Sequence, residues 1–156
     1  MAPTHRAGDE LTAQEVYDIW RLRDVVFAVE QQYGDVEVDG LDLLPTTTHL
    51  WFADSEGLTS YLRLWLGDDG GRHLGRVCTR RDQRGKGLSR RLIEHAHQLW
   101  PAPIQISAQL YLENWYAGFG YTRSGEVFDD GGIPHVPMAR DGDRVIDPRG
   151  PASSAI

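Results

Sequence analysis

Apolar residues recur at helical spacing early in the chain, at Val16, Ile19, Leu22, Val26 and Val29. Thr12 followed by Glu15 forms a capping-box pattern just before them, so a helix is predicted over about 13–30. Residues 1–10 read as a lead-in with a frayed edge strand. A polar loop over 31–47 follows, carrying Gly34, Gly40 and Pro45. Residues 49–54 read as a strand. Leucines on alternate positions at 58, 62, 64 and 66 predict a second strand, half-buried. The chain turns at 67–71 and re-enters a strand over 74–80. Beyond a short glycine loop, Leu88, Leu92, Ala96 and Leu99 mark a helix that ends near Pro101 and Pro103. A strand over 104–109, a short helix over 112–119 and a hairpin over 121–138 complete the pattern. The hairpin turns at 129–132, whose Asp-Asp-Gly-Gly also occurs at 68–71; these are two turns rather than a repeat. A single domain over 1–140 is expected. The tail 141–156, rich in Asp, Gly, Pro and Ser, is expected to be disordered. The strand–loop–helix–strand unit over 74–109 implies a parallel pair joined by a right-handed crossover.

Composition narrows the class. The chain has 156 residues, 40% apolar and 25% charged, which argues against a disordered or collagen-like protein. Its net charge of -7 is a poor match for a nucleic-acid partner. That charge is unevenly spread. Residues 1–71 hold 14 acids and 4 basic residues, whereas residues 72–91 hold 8 basic residues and one acid, Asp82. Lys86 is the sole lysine; the other basic residues are arginines, which suit forked contacts with phosphate. Cys78 is the only cysteine, so intrachain disulfides and multi-cysteine zinc sites are excluded and a reducing, cytoplasmic location is expected. Neither an export signal nor a membrane-spanning run is visible, so no membrane partner is expected.

The chemistry concentrates between Val77 and Ser89, in a strand–loop–helix junction. Gly85 and Gly87 allow a tight turn, and the unpaired N–H groups of the following helix point outward at its positive end. Together they make a seat for phosphate or pyrophosphate. A plain strand–helix turn with solvated arginines is an equally simple reading of these residues alone. Two common phosphate motifs are excluded: the P-loop requires GxxxxGK[ST], and a dinucleotide fingerprint requires a glycine where Arg90 stands.

The run Arg84-Gly85-Lys86-Gly87-Leu88-Ser89 resembles motif A of the GCN5-related N-acetyltransferases (GNAT), Arg/Gln-x-x-Gly-x-Gly/Ala, with Ser89 departing from the usual last residue. Tyr116-Ala-Gly-Phe-Gly120-Tyr121 is similar to the family's Tyr-x-x-x-Gly-Phe segment. Gln109 stands where the family more often has Asn. Residues 23–31, the loop 39–42, 131–135 and 138–140 resemble the ElaA-type branch. The resemblance runs in order over about 13–140. It implies an α/β (α+β) fold: a mixed, mostly antiparallel sheet of six to seven strands, helices on both faces, and a splayed parallel pair at 74–80 and 104–109.

The resemblance also implies a site. Acetyl-CoA would enter between the splayed strands as co-substrate, with no metal. Main-chain groups near Val77 and Thr79 would pair with its pantetheine arm, and a main-chain N–H near Cys78 or Thr79 would polarise the thioester carbonyl. Arg84, Gly85, Lys86, Gly87, Leu88 and Ser89 would form the pyrophosphate loop, and Gln109 would be a further cofactor-binding residue. Tyr116 would stand at the sulfur and protonate the departing thiolate, a task that suits a side chain protonated at neutral pH. A core aromatic beside Trp115 and Phe119 is the competing reading.

The acceptor side is less marked. Attack on a thioester requires a neutral amine, hence a base. Glu30, Asp35, Glu37, Asp39 and Asp42 lie in a stretch without basic residues, which would favour a cationic acceptor and could supply that base; a solvated acidic loop explains them equally well. Glu30 is the first choice, because it follows the apolar helix face; His135, at the edge of the last hairpin, is the second, although a structural hydrogen-bonding role is the somewhat better reading of it, and His49 is weaker. His95 and His97 point to different helix faces and make a poor metal pair. Cys78, in a strand, reads as buried and inert. An amine N-acetyltransferase acting by direct transfer, as a monomer or homodimer, is therefore expected. A non-catalytic acyl-CoA sensor is the alternative, and RNA or DNA binding through 72–91 the remote third.

Overall fold

A computed structural model describes residues 1–142, so the expected disordered tail lies, but for its first two residues, outside the described residues. Eight strands form one sheet: β1 (Thr4–Ala7), β2 (Thr48–Asp54), β3 (Gly57–Leu66), β4 (Arg72–Thr79), β5 (Ile104–Gln109), β6 (Thr122–Arg123), β7 (Phe128–Asp130) and β8 (Ile133–Arg140). Their order is β1-β2-β3-β4-β5-β8-β6, with β7 also paired to β8. All pairs are antiparallel except β4–β5. The count exceeds the expected six to seven because the hairpin contributes two very short strands, β6 and β7.

Three helices flank the sheet: α1 (Ala13–Arg23), α2 (Leu88–Leu99) and α3 (Glu113–Ala117). The Thr12 side chain caps α1 by accepting from the Glu15 amide, while the Glu15 carboxylate accepts from the Thr12 amide. The predicted helix over 13–30 does not stay an α-helix throughout. It widens at Asp24 into a π-helix that runs to Glu30, and Gln31 N–H closes on the Val26 carbonyl. The wider turn breaks the 3.6-residue register. Ile19, Leu22 and Val26 are therefore buried, but Val29, expected on the same face, is 66% exposed.

β3 departs from its predicted half-burial in the opposite direction. Every residue from Leu58 to Leu64 is buried, whereas Leu66 is exposed. The strand is central, so both of its faces are covered. Leu62 and Leu64 join Leu74, Leu92, Ile93 and Ile104 under α2. Leu58 and Tyr61 meet Ile19, Leu22, Val26 and Cys78 under α1. Irregular register with β2 and with β4 lets the leucines change face. The short helix expected over 112–119 contracts to α3, preceded by a 3-10 turn, Leu110–Leu112.

The parallel pair positions the site. β4 and β5 are joined at one register position, His73 opposite Gln105, and toward their C-terminal ends the ladder stops. On the other side, Tyr61 pairs with Cys78 and Arg63 with Gly75, so Arg76 and Val77 together oppose one residue of β3. This bulge puts Arg76 at φ +54°, in the left-handed region that a side chain rarely occupies.

Candidate active site

A cleft of about 290 Å³ opens where β4 and β5 part. Its sheet floor comes from alternate residues of β5 (Gln105, Ser107, Gln109) and from His135 and Pro137 of β8. Gln109 sits directly opposite His135 and Ser107 opposite Pro137, so all share one face. The intervening β5 residues, Ile104, Ile106 and Ala108, are buried in the core, Ile106 also reaching the cleft wall. Tyr116 and Val77 also line the cleft, together with Gln31, Tyr33, Glu37 and Arg76.

Tyr116 is 6% exposed, edge-on to Trp115, and its phenol is pushed well above the ordinary range, chiefly by burial. It is therefore protonated at neutral pH. His135 is held by a 2.7 Å contact from Nδ1 to the Ile133 carbonyl. A carbonyl can only accept, so Nδ1 donates there and Nε2 is the ring nitrogen left to accept a proton when the ring is neutral. The structure thus brings two of the expected catalytic side chains, Tyr116 and His135, to one cavity.

Glu30 is placed differently. Its carboxylate meets Arg84 Nη2 at 2.9 Å, while Arg84 Nε donates to the Thr79 carbonyl. Glu30 thus ties the end of the π-helix to the glycine loop and is not among the cleft-lining residues. Gln31 and Gln109 exchange amide hydrogen bonds at 3.3 and 2.7 Å across the cleft.

The other acids of the 30–42 stretch are drawn inward, with the exception of Asp35, which caps the Val36 amide. Arg23, fully buried, donates to Glu37 at 2.7 Å and to Asp42 at 2.6 Å. Arg63, also fully buried, donates to Asp42 at 2.9 Å and to Asp39 at 2.7 Å. Arg76 meets Glu37 at 2.8 Å and Asp39 at 3.5 Å. Burial alone would raise the Asp39 carboxyl, but Arg63, then the Leu41 amide and Arg76, hold it down at about 2. His49 is buried beside this network: its Nε2–H donates to the Asp42 carbonyl and its Nδ1 accepts from the Tyr61 hydroxyl. Both ring nitrogens are engaged structurally.

At the mouth of the splay lies the loop expected to hold pyrophosphate. Gly85 and Gly87 have φ +77° and +75°, and a β-carbon at either would meet nothing within 4 Å. Their left-handed backbones turn the loop while its outer side stays open. No side chain caps the first turn of α2, so its N–H groups face outward. Ser89 points the other way. Its buried hydroxyl bonds Thr79 Oγ1 at 2.8 Å and Ser60 Oγ at 3.3 Å, which leaves its main chain unobstructed. Lys86 is exposed and donates to Gln83, and Leu88 packs on the main core. Cys78 is fully buried, its thiol pushed up to about 12 by burial. The residues present therefore fit an acyl-CoA: a loop of free amides at one end, an unpaired β4 edge, and a protonated phenol at the cleft. Among the described residues no group of three or more His, Cys, Asp or Glu is placed to hold a metal, and no helix is long and apolar enough to cross a membrane.

Tyr33 and Asp130 were not visible from the sequence as site residues. Tyr33 Oη donates to Asp130 Oδ1 at 2.7 Å across 97 positions, and both line the cleft. The Tyr33 ring lies so close to Gly131 (φ +61°) that a β-carbon there would approach it to 2.4 Å. The Asp-Asp-Gly-Gly turn signalled only chain reversal, and nothing local tied it to Tyr33.

A family description for the acetyltransferase (GNAT) domain matches residues 40–141. The chain is 44% identical over 138 residues to UPF0039 protein Rv2851c of Mycobacterium tuberculosis, covering 85% of this chain and 88% of that one. It is 37% identical to a solved acyl-CoA N-acyltransferase from Pseudomonas aeruginosa, with a TM-score of 0.82 over 88% of this chain and 97% of that one. Escherichia coli ElaA superposes with a TM-score of 0.79 at 31% identity, covering 89% and 98% of the two chains.

Proposed function

This chain belongs to the GNAT acetyltransferase family, and we propose that it transfers an acetyl group from acetyl-CoA directly to an amine, with Tyr116 as acid and His135 as base. The observation that carries this reading is the meeting of a protonated Tyr116 and a His135 with a free Nε2 in one cleft, at the parting of β4 and β5. Acetyl-CoA supplies the activated acyl group.

The protein's own groups do the rest. The N–H groups of Gly85, Gly87 and Ser89 hold the pyrophosphate, and Arg84, braced by Glu30, fixes the loop. Val77 and Thr79 line the β4 edge, and a main-chain N–H there steadies charge on the thioester oxygen. His135 Nε2 takes a proton from the acceptor nitrogen, freeing its lone pair to attack the acyl carbon. As the new C–N bond forms and the C–S bond breaks, Tyr116 Oη returns a proton to the sulfur. The products are an N-acetylated amine and the free CoA thiol; the second proton shed by the acylated nitrogen restores the tyrosine, and the imidazolium returns its proton to solvent. Glu30, the other candidate base, is bound to Arg84 and serves better as a positioning residue.

The test is thiol release from acetyl-CoA across a panel of primary amines. Turnover that falls in both Tyr116→Phe and His135→Gln supports the assignment. Unchanged turnover in either variant removes that residue from the mechanism, and failure of acetyl-CoA to raise the melting temperature overturns the whole reading.

A further inference from the structure

Resting on that proposed function, we propose that Asp130, oriented by Tyr33, selects the acceptor by binding a second cationic group about 7 Å from the amine that reacts at His135. The acceptor class is then a diamine or another molecule with two cationic nitrogens.

The balance of charge leads to Asp130. Four acids from the 30–42 stretch are each paired with arginine: Glu30 with Arg84, Glu37 with Arg23 and Arg76, Asp39 with Arg63 and Arg76, Asp42 with Arg23 and Arg63. The acid-rich sequence therefore offers the cleft little net negative charge. Among the described residues two carboxylates line the cleft, Glu37 and Asp130. Glu37 is committed to two guanidinium groups. Asp130 has no ion-pair partner among the described residues; its recorded side-chain partner is the Tyr33 hydroxyl. Burial, then the hydrogen bond to Asp130, raises the Tyr33 phenol, so its hydroxyl remains the donor in that contact. Arg76 also lines the cleft, but Glu37 and Asp39 both engage its guanidinium.

The register sets the spacing. Phe128 pairs with His135 and their rings are 5.9 Å apart, so both lie on one face of the hairpin. Asp130, two residues further along β7, returns to that face, about 7 Å on at roughly 3.4 Å per residue. A chain of about four or five methylenes, with bonds of about 1.5 Å, spans this gap.

The experiment compares n-butylamine with 1,4-diaminobutane and 1,5-diaminopentane as acceptors for the wild type, Asp130→Asn and Tyr33→Phe. The wild type should prefer the diamines in kcat/KM by about tenfold or more, as expected for a charge-assisted contact. Asp130→Asn should abolish that preference, chiefly through KM, and leave n-butylamine within about twofold. Tyr33→Phe should weaken the preference in the same direction. A diamine preference that survives Asp130→Asn, or an equal loss for n-butylamine, overturns the proposal. Calorimetric titration of 1,4-diaminobutane into the protein, with and without CoA, separates the two readings. Asp130-dependent binding without any turnover supports this subsite while counting against the acetyl-transfer reading. Absence of such binding in a protein that does acetylate n-butylamine sinks the subsite alone.

Discussion

Arg23 and Asp42 meet at 2.6 Å with both side chains shut off from solvent, and the same carboxylate oxygen also receives Arg63 at 2.9 Å. One carboxylate thus compensates two buried guanidinium groups and pins the loop that walls the cleft. Removing one member of a buried pair leaves charge uncompensated and costs about 3 kcal/mol or more. Asp42→Ala should lower the unfolding free energy by that order, read from the midpoint of urea denaturation. A loss below about 1 kcal/mol would mean that Glu37 and Asp39 suffice on their own.

Stability should also fall on mild acidification, through His49. Burial lowers its pKa, and both ring nitrogens are committed to contacts that suit the neutral ring. The unfolded chain, with an ordinary His pKa near 6.5, then binds a proton that the folded protein does not. Stability from this group is full above about pH 6.5 and is lost as pH falls toward the folded value. Asp39 adds a separate loss lower down, between its ordinary 3.8 and about 2. Melting temperature measured from pH 7.5 to 5 should decline in the wild type and be flatter, from a lower start, in His49→Asn.

Tyr116→Phe removes one hydroxyl from an otherwise apolar nest with Trp115 and Tyr121. The fold and the acetyl-CoA-induced rise in melting temperature should persist. Turnover should drop by about a hundredfold, the lower end of what a positioned general acid contributes. Single-turnover measurement at saturating amine distinguishes this from a loss of binding.

The loop predicts a contrast between two neighbours. Ser89→Ala deletes a hydroxyl that faces inward, so stability should fall by about 1 kcal/mol while CoA affinity stays within about twofold. Gly87→Ala must hold a side chain at φ +75°, at a cost of about 1–2 kcal/mol. Relaxation of that strain should disturb the loop amides and weaken CoA binding more than Ser89→Ala does. Calorimetry with CoA on both variants provides the comparison.

Glu30→Gln separates a brace from a base. Loss of the Arg84 ion pair, both of whose partners are largely shielded, should raise KM for acetyl-CoA by about two- to fivefold. At saturating acetyl-CoA, kcat for the amine should be retained in this variant and collapse in His135→Gln. The reverse pattern would transfer the proton-acceptor role to Glu30.

The order of elements, the core face of α2, the parallel pair and the glycine loop were legible in the sequence, because each rests on spacing within one element or one strand–helix–strand unit, whereas the parting of that pair was implied by the family resemblance alone. Leu88, Leu92 and Ala96 identify their buried face whatever they pack against, and Arg84 to Ser89 carry their turn geometry locally. Tertiary structure alone decided where the charges went. Asp39 and Asp42 read equally as acceptor-facing acids or as a solvated loop, and Arg63, on a strand more than twenty residues away, drew them inward instead; charge pairing acts through space, where sequence distance has no meaning. The exposure of Val29 turned on a π-helix that no spacing rule anticipates. The Tyr33–Asp130 contact joins positions 97 apart. Local pattern thus determined the scaffold and its glycine loop, and the three-dimensional closure of distant loops determined that Glu37 would line the cleft paired with arginines and Asp130 beside Tyr33.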